Sequence, residues 1–332
     1  MKKLKNKRIN IKKIAYFSTA KCNSKCVMCN IHKSKKTPDL KPTELKKILK
    51  DPLFKNVSAI GVSGGEPSLH TEWKEICNSI FDCLPKLKSI SITTNCVNKS
   101  KSIELLEYYN KKSEEFNIKF VPYISLDGIG KIHDKVRGIE GNFNNVVDVI
   151  SRLKEKNIKF TSACTISKEN IHDIYNLRDF CKKNKIDIRF RLASKIQRLY
   201  NENAKTFHDL NKEEKRLLER FFNEEILEIL QKKKSDGLIK NIFNFEDRAK
   251  KNRYAHIINM LNGGNRKIAC PHSAREAVCL DNDGGLMYCS VDGKIVGNCR
   301  KKSCKNIYFS EIEHLEEIIK NKCGSCSHDI TK

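Results

Sequence analysis

No run in the 332 residues approaches the roughly 18 consecutive apolar residues that a membrane span needs, and the N-terminus lacks the apolar core of a secretion signal. A cytoplasmic protein with no membrane partner is expected. Also missing is any block in which arginine interleaves with aromatic residues, the composition of a nucleic-acid platform. The net charge of +25 comes mostly from lysines scattered along helical stretches, so it reads as generic basicity. An anionic substrate is the next reading, and nucleic acid is not expected as a partner. No internal repeat or low-complexity linker breaks the chain, which is long enough for one large core or two domains.

Cysteine, by contrast, is plentiful. Fifteen are present, grouped unevenly. In a cytosolic chain such clustering points to metal binding or catalysis rather than a disulfide framework. Cys22, Cys26 and Cys29 lie in "STAKCNSKCVMCN" with the spacing C-x3-C-x2-C. Cys77, Cys83, Cys96, Cys164 and Cys181 stand singly and are expected as small buried hydrophobes. Seven more crowd into residues 270–326. Three thiolates on a loop suit a [4Fe–4S] cube with one iron left without a protein ligand. Zinc is the rival, with His32 as the one nearby extra ligand.

From residue 14 to about 195, short β-type runs alternate with helical stretches. Strands are expected at 13–20, 59–65, 89–95, 120–128, 159–167 and 186–193. Between them, residues 144–156 place Val146, Val147, Ile150 and Leu153 on one helical face, and 102–112 and 170–184 behave likewise. Six strands separated by helices imply an α/β fold of parallel units with right-handed crossovers. Functional groups then gather at the carboxyl ends of the strands. A strong amphipathic helix follows over 209–234, with Asn211 and Glu214 as its capping box. The expected division is a basic tail (1–13), a barrel (14–196), a helical insertion (197–265) and a small Cys-rich hairpin domain (266–332).

The C-x3-C-x2-C loop after the first strand resembles the hallmark of the radical S-adenosylmethionine (SAM) superfamily. "SGGEP" (63–67), "TTN" (93–95), "SLDG" (125–128) and "KIHDKVRG" (131–138) resemble its later elements, in the right order. The resemblance implies a partial (β/α)6 TIM-like barrel. Cys22, Cys26 and Cys29 would each hold one iron, and SAM would chelate the open iron. It also implies cofactor contacts: Met28 and Leu192 on adenine, Gly64, Gly65 and Glu66 at the ammonium group, Thr94 and Asn95 on ribose and methionine, Ser125 by hydrogen bond, and Arg137 on the carboxylate. Met28 stands where the family usually has an aromatic residue. The implied chemistry is reductive cleavage of SAM to a 5′-deoxyadenosyl radical that removes hydrogen from a substrate C–H bond, with a flavodoxin or ferredoxin as reductant.

Near the other end, Cys270, Gly284 and Cys289 read as C-x13-G-x4-C, "DNDGG" as a hairpin turn, and Cys323 and Cys326 as C-x2-C. This resembles the auxiliary-cluster domain of many radical SAM enzymes, in its one-cluster "twitch" form rather than the longer SPASM form. Cys270, Cys289, Cys323 and Cys326 would ligate a second [4Fe–4S] cluster. Cys279 is expected to be packing, while Cys299 and Cys304 stay open as replacement ligands. A zinc ribbon from the same four cysteines is the alternative.

Four functions compete. The first is oxidation (dehydrogenation) of a small polar metabolite such as a sugar, aminocyclitol or nucleotide derivative, for which the auxiliary cluster takes up an electron. The others are maturation of a peptide or protein side chain, a molybdopterin-type nucleotide cyclisation, and a non-enzymatic metal scaffold on RNA. The one-cluster form and the lack of an N-terminal peptide-binding extension favour the first. Alternation puts Arg189 and Arg191 on one face of the sixth strand, and an inward face would suit a phosphate or carboxylate on the substrate.

Overall fold

The computed structural model describes residues 9–34, 37–235 and 245–328. The first eight residues of the expected basic tail and the last four of the chain fall outside these. Six parallel strands, β1 (Lys13–Thr19), β2 (Ala59–Gly64), β3 (Ser89–Thr94), β4 (Lys119–Ser125), β5 (Thr161–Ile166) and β6 (Ile188–Leu192), stand side by side in chain order. Helices α1 (Pro42–Leu49), α2 (Trp73–Cys83), α3 (Lys99–Glu115), α4 (Lys131–Arg137), α5 (Asn142–Glu155) and α6 (Ile174–Lys183) connect them. β6 does not pair back onto β1, so the barrel is partial.

Alternation along the strands decides the layers. Ile14, Tyr16, Ile60, Val62, Ile90 and Ile92 face the helices and are buried, while the residues between them face the barrel interior. The single cysteines Cys77, Cys83, Cys96, Cys164 and Cys181 are all buried, as small hydrophobes in the core. On α5 the buried face is Val146, Val149, Ile150 and Leu153; Val147 turns half outward, one position off the expected stripe.

α7 (Lys212–Ser235) opens on the expected capping box. Asn211 N–H donates to Glu214 Oε2 at 2.8 Å, and Glu214 N–H donates to Asn211 Oδ1 at 2.8 Å. α8 (Phe245–Leu261) packs on α7 and guards the exposed edge of β6, where Tyr254 Oη accepts the Phe190 N–H at 3.3 Å.

The Cys-rich segment does not form a free-standing sheet. β7 (Ala277–Leu280) pairs parallel with β1, and β8 (Gly285–Met287) and β9 (Gly297–Asn298) continue antiparallel, giving one nine-stranded sheet. The division expected at residue 266 therefore marks a change in cysteine content, while the hydrogen-bonded sheet runs through it. "DNDGG" makes the hairpin turn, with Gly284 at φ +88°. α9 (Cys304–Ser310) and α10 (Ile312–Asn321) follow. Asp51 ties α9 to the barrel by accepting from Ser303 Oγ at 2.7 Å and from the Cys304 N–H at 2.9 Å.

Candidate active site

The loop carrying Cys22, Cys26 and Cys29 leaves the carboxyl end of β1 and is held from three sides. The glycine pair after β2 is the first support. Gly65 N–H donates to Thr19 O at 2.6 Å and Glu66 N–H to Lys21 O at 2.8 Å. A Cβ on Gly65 would stand 2.0 Å from Lys21 O, and one on Gly64, at φ +140°, would stand 2.4 Å from Thr19 O. Only glycine lets the two segments approach this closely.

The second support is the end of β3. Asn95 Nδ2 donates to Asn23 Oδ1 and Ser24 Oγ, both at 2.9 Å, and reaches to 3.8 Å from Cys22 Sγ. Glu66 fixes this strand end: its carboxylate accepts from Thr94 Oγ1 at 2.9 Å, the Asn95 N–H at 2.8 Å and the Ser68 N–H at 3.2 Å. Glu66 is 1% exposed. Burial raises its pKa, against the hydrogen bonds from Asn95, Ser68 and Thr94. The sequence placed the Glu66 charge at an ammonium group; here the carboxylate turns inward as a strut between β2 and β3, and Thr94 is turned inward with it.

The third support is α4. Lys25 N–H donates to Arg137 O and Val27 N–H to Val136 O, both at 3.0 Å, while Gly138 caps the helix at φ +65° against Lys25 O. Arg137 Nε lies 2.6 Å from Asp127 Oδ2, close in distance although the N–H does not point along the line, and Nη1 lies 3.6 Å from Cys26 Sγ. Asp127, fully buried, also accepts the Thr165 N–H at 2.6 Å. Burial works against the Arg137 charge, but Asp127 and Cys26 outweigh it and keep the group protonated.

The three thiols lie close enough to feel one another's charge. Burial pushes Cys22 up to about 11, against the backbone N–H of Ser24, and the negative charges of Cys26, Glu66 and Cys29 add to the rise. Burial likewise raises Cys29, which also feels Cys26, Arg198 and Arg137. These are thiols without metal; a coordinated iron deprotonates them outright. Among the described residues no three or more His, Cys, Asp or Glu side chains close on a point that a single ion would occupy. A cube needs no such convergence, because each thiolate takes its own iron. Three partly exposed thiols on a loop clamped from three sides fit that group.

Met28 and Leu192 come together on one cavity of about 180 Å³ beside the loop, along with Phe17, Arg191 and Arg198. Ser125 ends β4 in the register of Ala163 and Arg189. Arg191 donates from Nε to Thr165 Oγ1 at 3.0 Å; Arg189 lines a separate, larger chamber at the amino end of the barrel. Sequence reading passed over three residues here. Asp127 lies inside "SLDG" but was given no role of its own. Arg198 lies over the Phe17 ring at 3.5 Å and pairs with Asp281 at 3.0 Å. Asn201 donates to Met28 O at 2.9 Å and Ser194 O at 3.0 Å, joining the cysteine loop to the chain after β6. Only Asp127 carried a sequence signal.

At the back, Cys289 and Cys323 each feel Cys270 and Cys326 electrostatically, so the four thiols share one locality. Burial drives Cys289 up to about 12, partly countered by the N–H groups of Asp292 and Val291. Arg266 straps the terminal turn: Nη1 donates to Cys326 O at 3.3 Å and to His328 O at 2.5 Å. Cys279 packs with Phe17 and Met287. Cys299 and Cys304 are buried against each other, a thiol pair separate from the four.

An open parallel barrel with a three-thiol loop at the carboxyl end of its first strand defines a class of cofactor-dependent radical enzymes. The family model of the radical SAM superfamily matches residues 16–181, half the chain, and the chain belongs to that superfamily. Its members use a [4Fe–4S] cluster and SAM. The chain is 30% identical over 170 residues to a probable GTP 3′,8-cyclase of Methanococcus maripaludis, covering 50% of this chain and 53% of the relative. It is 27% identical over 168 residues to the sporulation killing factor maturation protein SkfB of Bacillus subtilis, covering 49% and 38%. The chain thus spans about half the length, or less, of these two relatives. In fold it resembles anSMEcpe, solved with AdoMet and a peptide bound, at a TM-score of 0.63 and 18% identity, over 93% of this chain and 82% of that one. No helix among the described residues is long and apolar enough to cross a membrane.

Proposed function

We propose that this chain oxidises a polar substrate held inside its barrel, removing hydrogen from a C–H bond. Cys22, Cys26 and Cys29 would hold the front cluster, and Cys270, Cys289, Cys323 and Cys326 a second one. When bound, the front cluster and SAM supply a hydrogen-abstracting carbon radical, and a second cluster held by four thiolates supplies an acceptor for one electron.

The protein's own part is placement. Met28 and Leu192 offer an apolar slot for adenine, Ser125 a hydroxyl, and Gly64 and Gly65 close backbone approach. Arg137, held by Asp127, presents a fixed positive charge at Cys26 and would pair with a cofactor carboxylate. Glu66, Thr94 and Asn95 keep the cysteine loop rigid, which fixes which substrate hydrogen lies nearest the radical.

The observation that carries this reading is two thiol sets on one sheet, Cys22, Cys26 and Cys29 after β1 and Cys270, Cys289, Cys323 and Cys326 in the segment whose β7 pairs with β1. A hydrogen atom lost on one side, then an electron and a proton, amounts to dehydrogenation. A sugar, aminocyclitol or nucleotide derivative is the proposed substrate class, with flavodoxin or ferredoxin as electron source. The boundaries 14–196, 197–265 and 266–332 remain our proposal for how these roles divide along the chain.

A second reading, maturation of a peptide or protein side chain, is favoured by the size of the amino-end chamber. At about 770 Å³ it lies in the upper range for drug-sized ligands and has room for a peptide segment. Mass spectrometry of anaerobic turnover mixtures separates the two. A metabolite two mass units lighter, formed with 5′-deoxyadenosine, supports dehydrogenation; a mass change on a peptide alone supports maturation.

A further inference from the structure

The chain leaving β6 is tied to both thiol sets. On the front side, Asn201 Nδ2 donates to Met28 O, the Asn30 N–H to Leu199 O and Asn30 Nδ2 to Tyr200 O, each at 2.9 Å. Met28 and Asn30 flank Cys29 in the sequence. On the back side, the Gln197 N–H donates to Val291 O at 3.1 Å, and the hydroxyls of Ser194 and Ser327 lie 3.0 Å apart. Val291 stands two residues after Cys289, and Ser327 directly follows Cys326. Residues 194–201 therefore bridge the chain beside a front thiol to the chain beside two back thiols.

The bridge's own bonds fix its shape. Asn201 is buried and uses both ends of its amide: Nδ2 also donates to Ser194 O at 3.0 Å, and Oδ1 accepts the Ile196 N–H at 2.8 Å. Arg198 Nη2 donates to Asp281 Oδ1 at 3.0 Å, pinning the middle of the bridge to the hairpin turn. Tyr200 sits at φ +50°, a left-handed conformation that a residue with a side chain rarely adopts. Its ring is exposed, so the strain is offset by backbone bonds such as the one from Asn30.

The terminal turn carrying Cys323 and Cys326 meets this bridge at Ser327 and is strapped by Arg266, whose N–H donates to Gly324 O at 2.7 Å. Four thiolates share one cluster only when the turn is docked, because Cys323 and Cys326 must then meet Cys270 and Cys289. A ligand that binds one of two arrangements shifts the population toward it. Metal at the back therefore favours the docked turn, and the docked turn supports the bridge.

We propose that residues 194–201 couple the two thiol sets, with Asn201 and Ser194 as positioning residues: filling the back set steadies the front loop, and emptying it loosens that loop. This rests on the assignment of Cys270, Cys289, Cys323 and Cys326 as one ligand set. Coupling between sites is reciprocal, so SAM at the front should slow the loss of back iron to a chelator.

Hydrogen exchange of the reconstituted full-length protein, read by mass spectrometry, reports local opening at the Asn30 amide, which bonds Leu199 O across the front contact. Cys326→Ala, with front iron retained, should speed exchange of the peptide holding Asn30 at least fivefold. The peptide holding the Glu66 amide, which bonds Lys21 O from the β2 side, should not change. Ser194→Ala removes one hydroxyl and cuts the back contact, so it should speed Asn30 similarly with both clusters present. Asn201→Asp keeps the acceptor for the Ile196 N–H but loses the amide donor, and Asn30 should then exchange fast whatever the state of the back set. Combining Ser194→Ala with Cys326→Ala should add little, since both open the same contact. Equal exchange at Asn30 in wild type and Cys326→Ala overturns the coupling, as do effects of these two substitutions that multiply like those of independent sites. Full iron in Cys326→Ala would instead overturn the ligand set, and the coupling with it.

Discussion

Asp127 holds Arg137 against the front cysteines. The carboxylate is fully buried, 2.6 Å from the guanidinium Nε, and the other end of the guanidinium lies 3.6 Å from Cys26 Sγ. Asp127→Asn keeps an acceptor for the Thr165 N–H but strips the arginine of its counter-ion. Removing one partner of a buried pair costs roughly 3–5 kcal/mol. A loss of about 3 kcal/mol is expected in urea unfolding of the metal-free protein, with weakened SAM binding by the reconstituted enzyme. Unchanged stability and binding would show that the pair is incidental.

The glycine pair makes a second, sharper prediction. Gly65→Ala drives a Cβ into Lys21 O, at 2.0 Å, so the backbone must move. Overpacking of this kind costs about 1–3 kcal/mol, and the displaced loop should lose front-cluster iron on reconstitution. Gly141→Ala is the control. Its φ is positive, +75°, but a Cβ there meets nothing within 4 Å, so it should lower stability slightly and leave iron content alone.

These two sites also show what could be read from sequence. All six barrel strands were legible, because Val- and Ile-rich runs alternate with polar residues and recur between helices. The cysteine spacing was legible because thiols so closely set are rarely accidental. The attachment of β7 to β1 was not, since pairing partners distant in sequence leave no local pattern. Nor was the inward turn of Glu66: "GGEP" shows that a carboxylate is present but not that Thr94, Asn95 and Ser68 enclose it. Arg198 and Asn201 act through contacts with residues more than 80 positions away and carried no motif.

Histidine titration gives the third prediction. His133 is buried, with Nδ1 accepting the Asp127 N–H at 3.0 Å and Nε2 2.8 Å from the Asn142 amide. Burial, reinforced by Arg137, lowers its pKa to about 3 from an ordinary 6.5. Below pH 6.5 the unfolded chain takes up a proton that the folded protein refuses. The stabilisation from the neutral ring is therefore complete above pH 6.5 and drains away as pH falls toward 3, by up to about 1.4 kcal/mol per pH unit. Urea midpoints of the wild type should fall over this window more steeply than those of His133→Gln. Parallel slopes would contradict the assignment.

The back cysteines divide into ligands and bystanders. Cys326→Ala should remove about four of roughly eight irons per chain while the front cluster keeps its spectrum. Cys279→Ala, packed on Phe17 and Met287, should cost stability and no iron. Cys304→Ala breaks the buried contact with Cys299 and should likewise retain full iron. Loss of half the iron from Cys304→Ala would move the ligand set.

The most direct measurement is electron paramagnetic resonance of the anaerobically reconstituted, reduced Cys326→Ala protein, with and without SAM. A [4Fe–4S] signal whose shape changes when SAM is added, together with release of 5′-deoxyadenosine, is the predicted result. A signal indifferent to SAM, or zinc in place of iron at Cys22, Cys26 and Cys29, would contradict the account at its root.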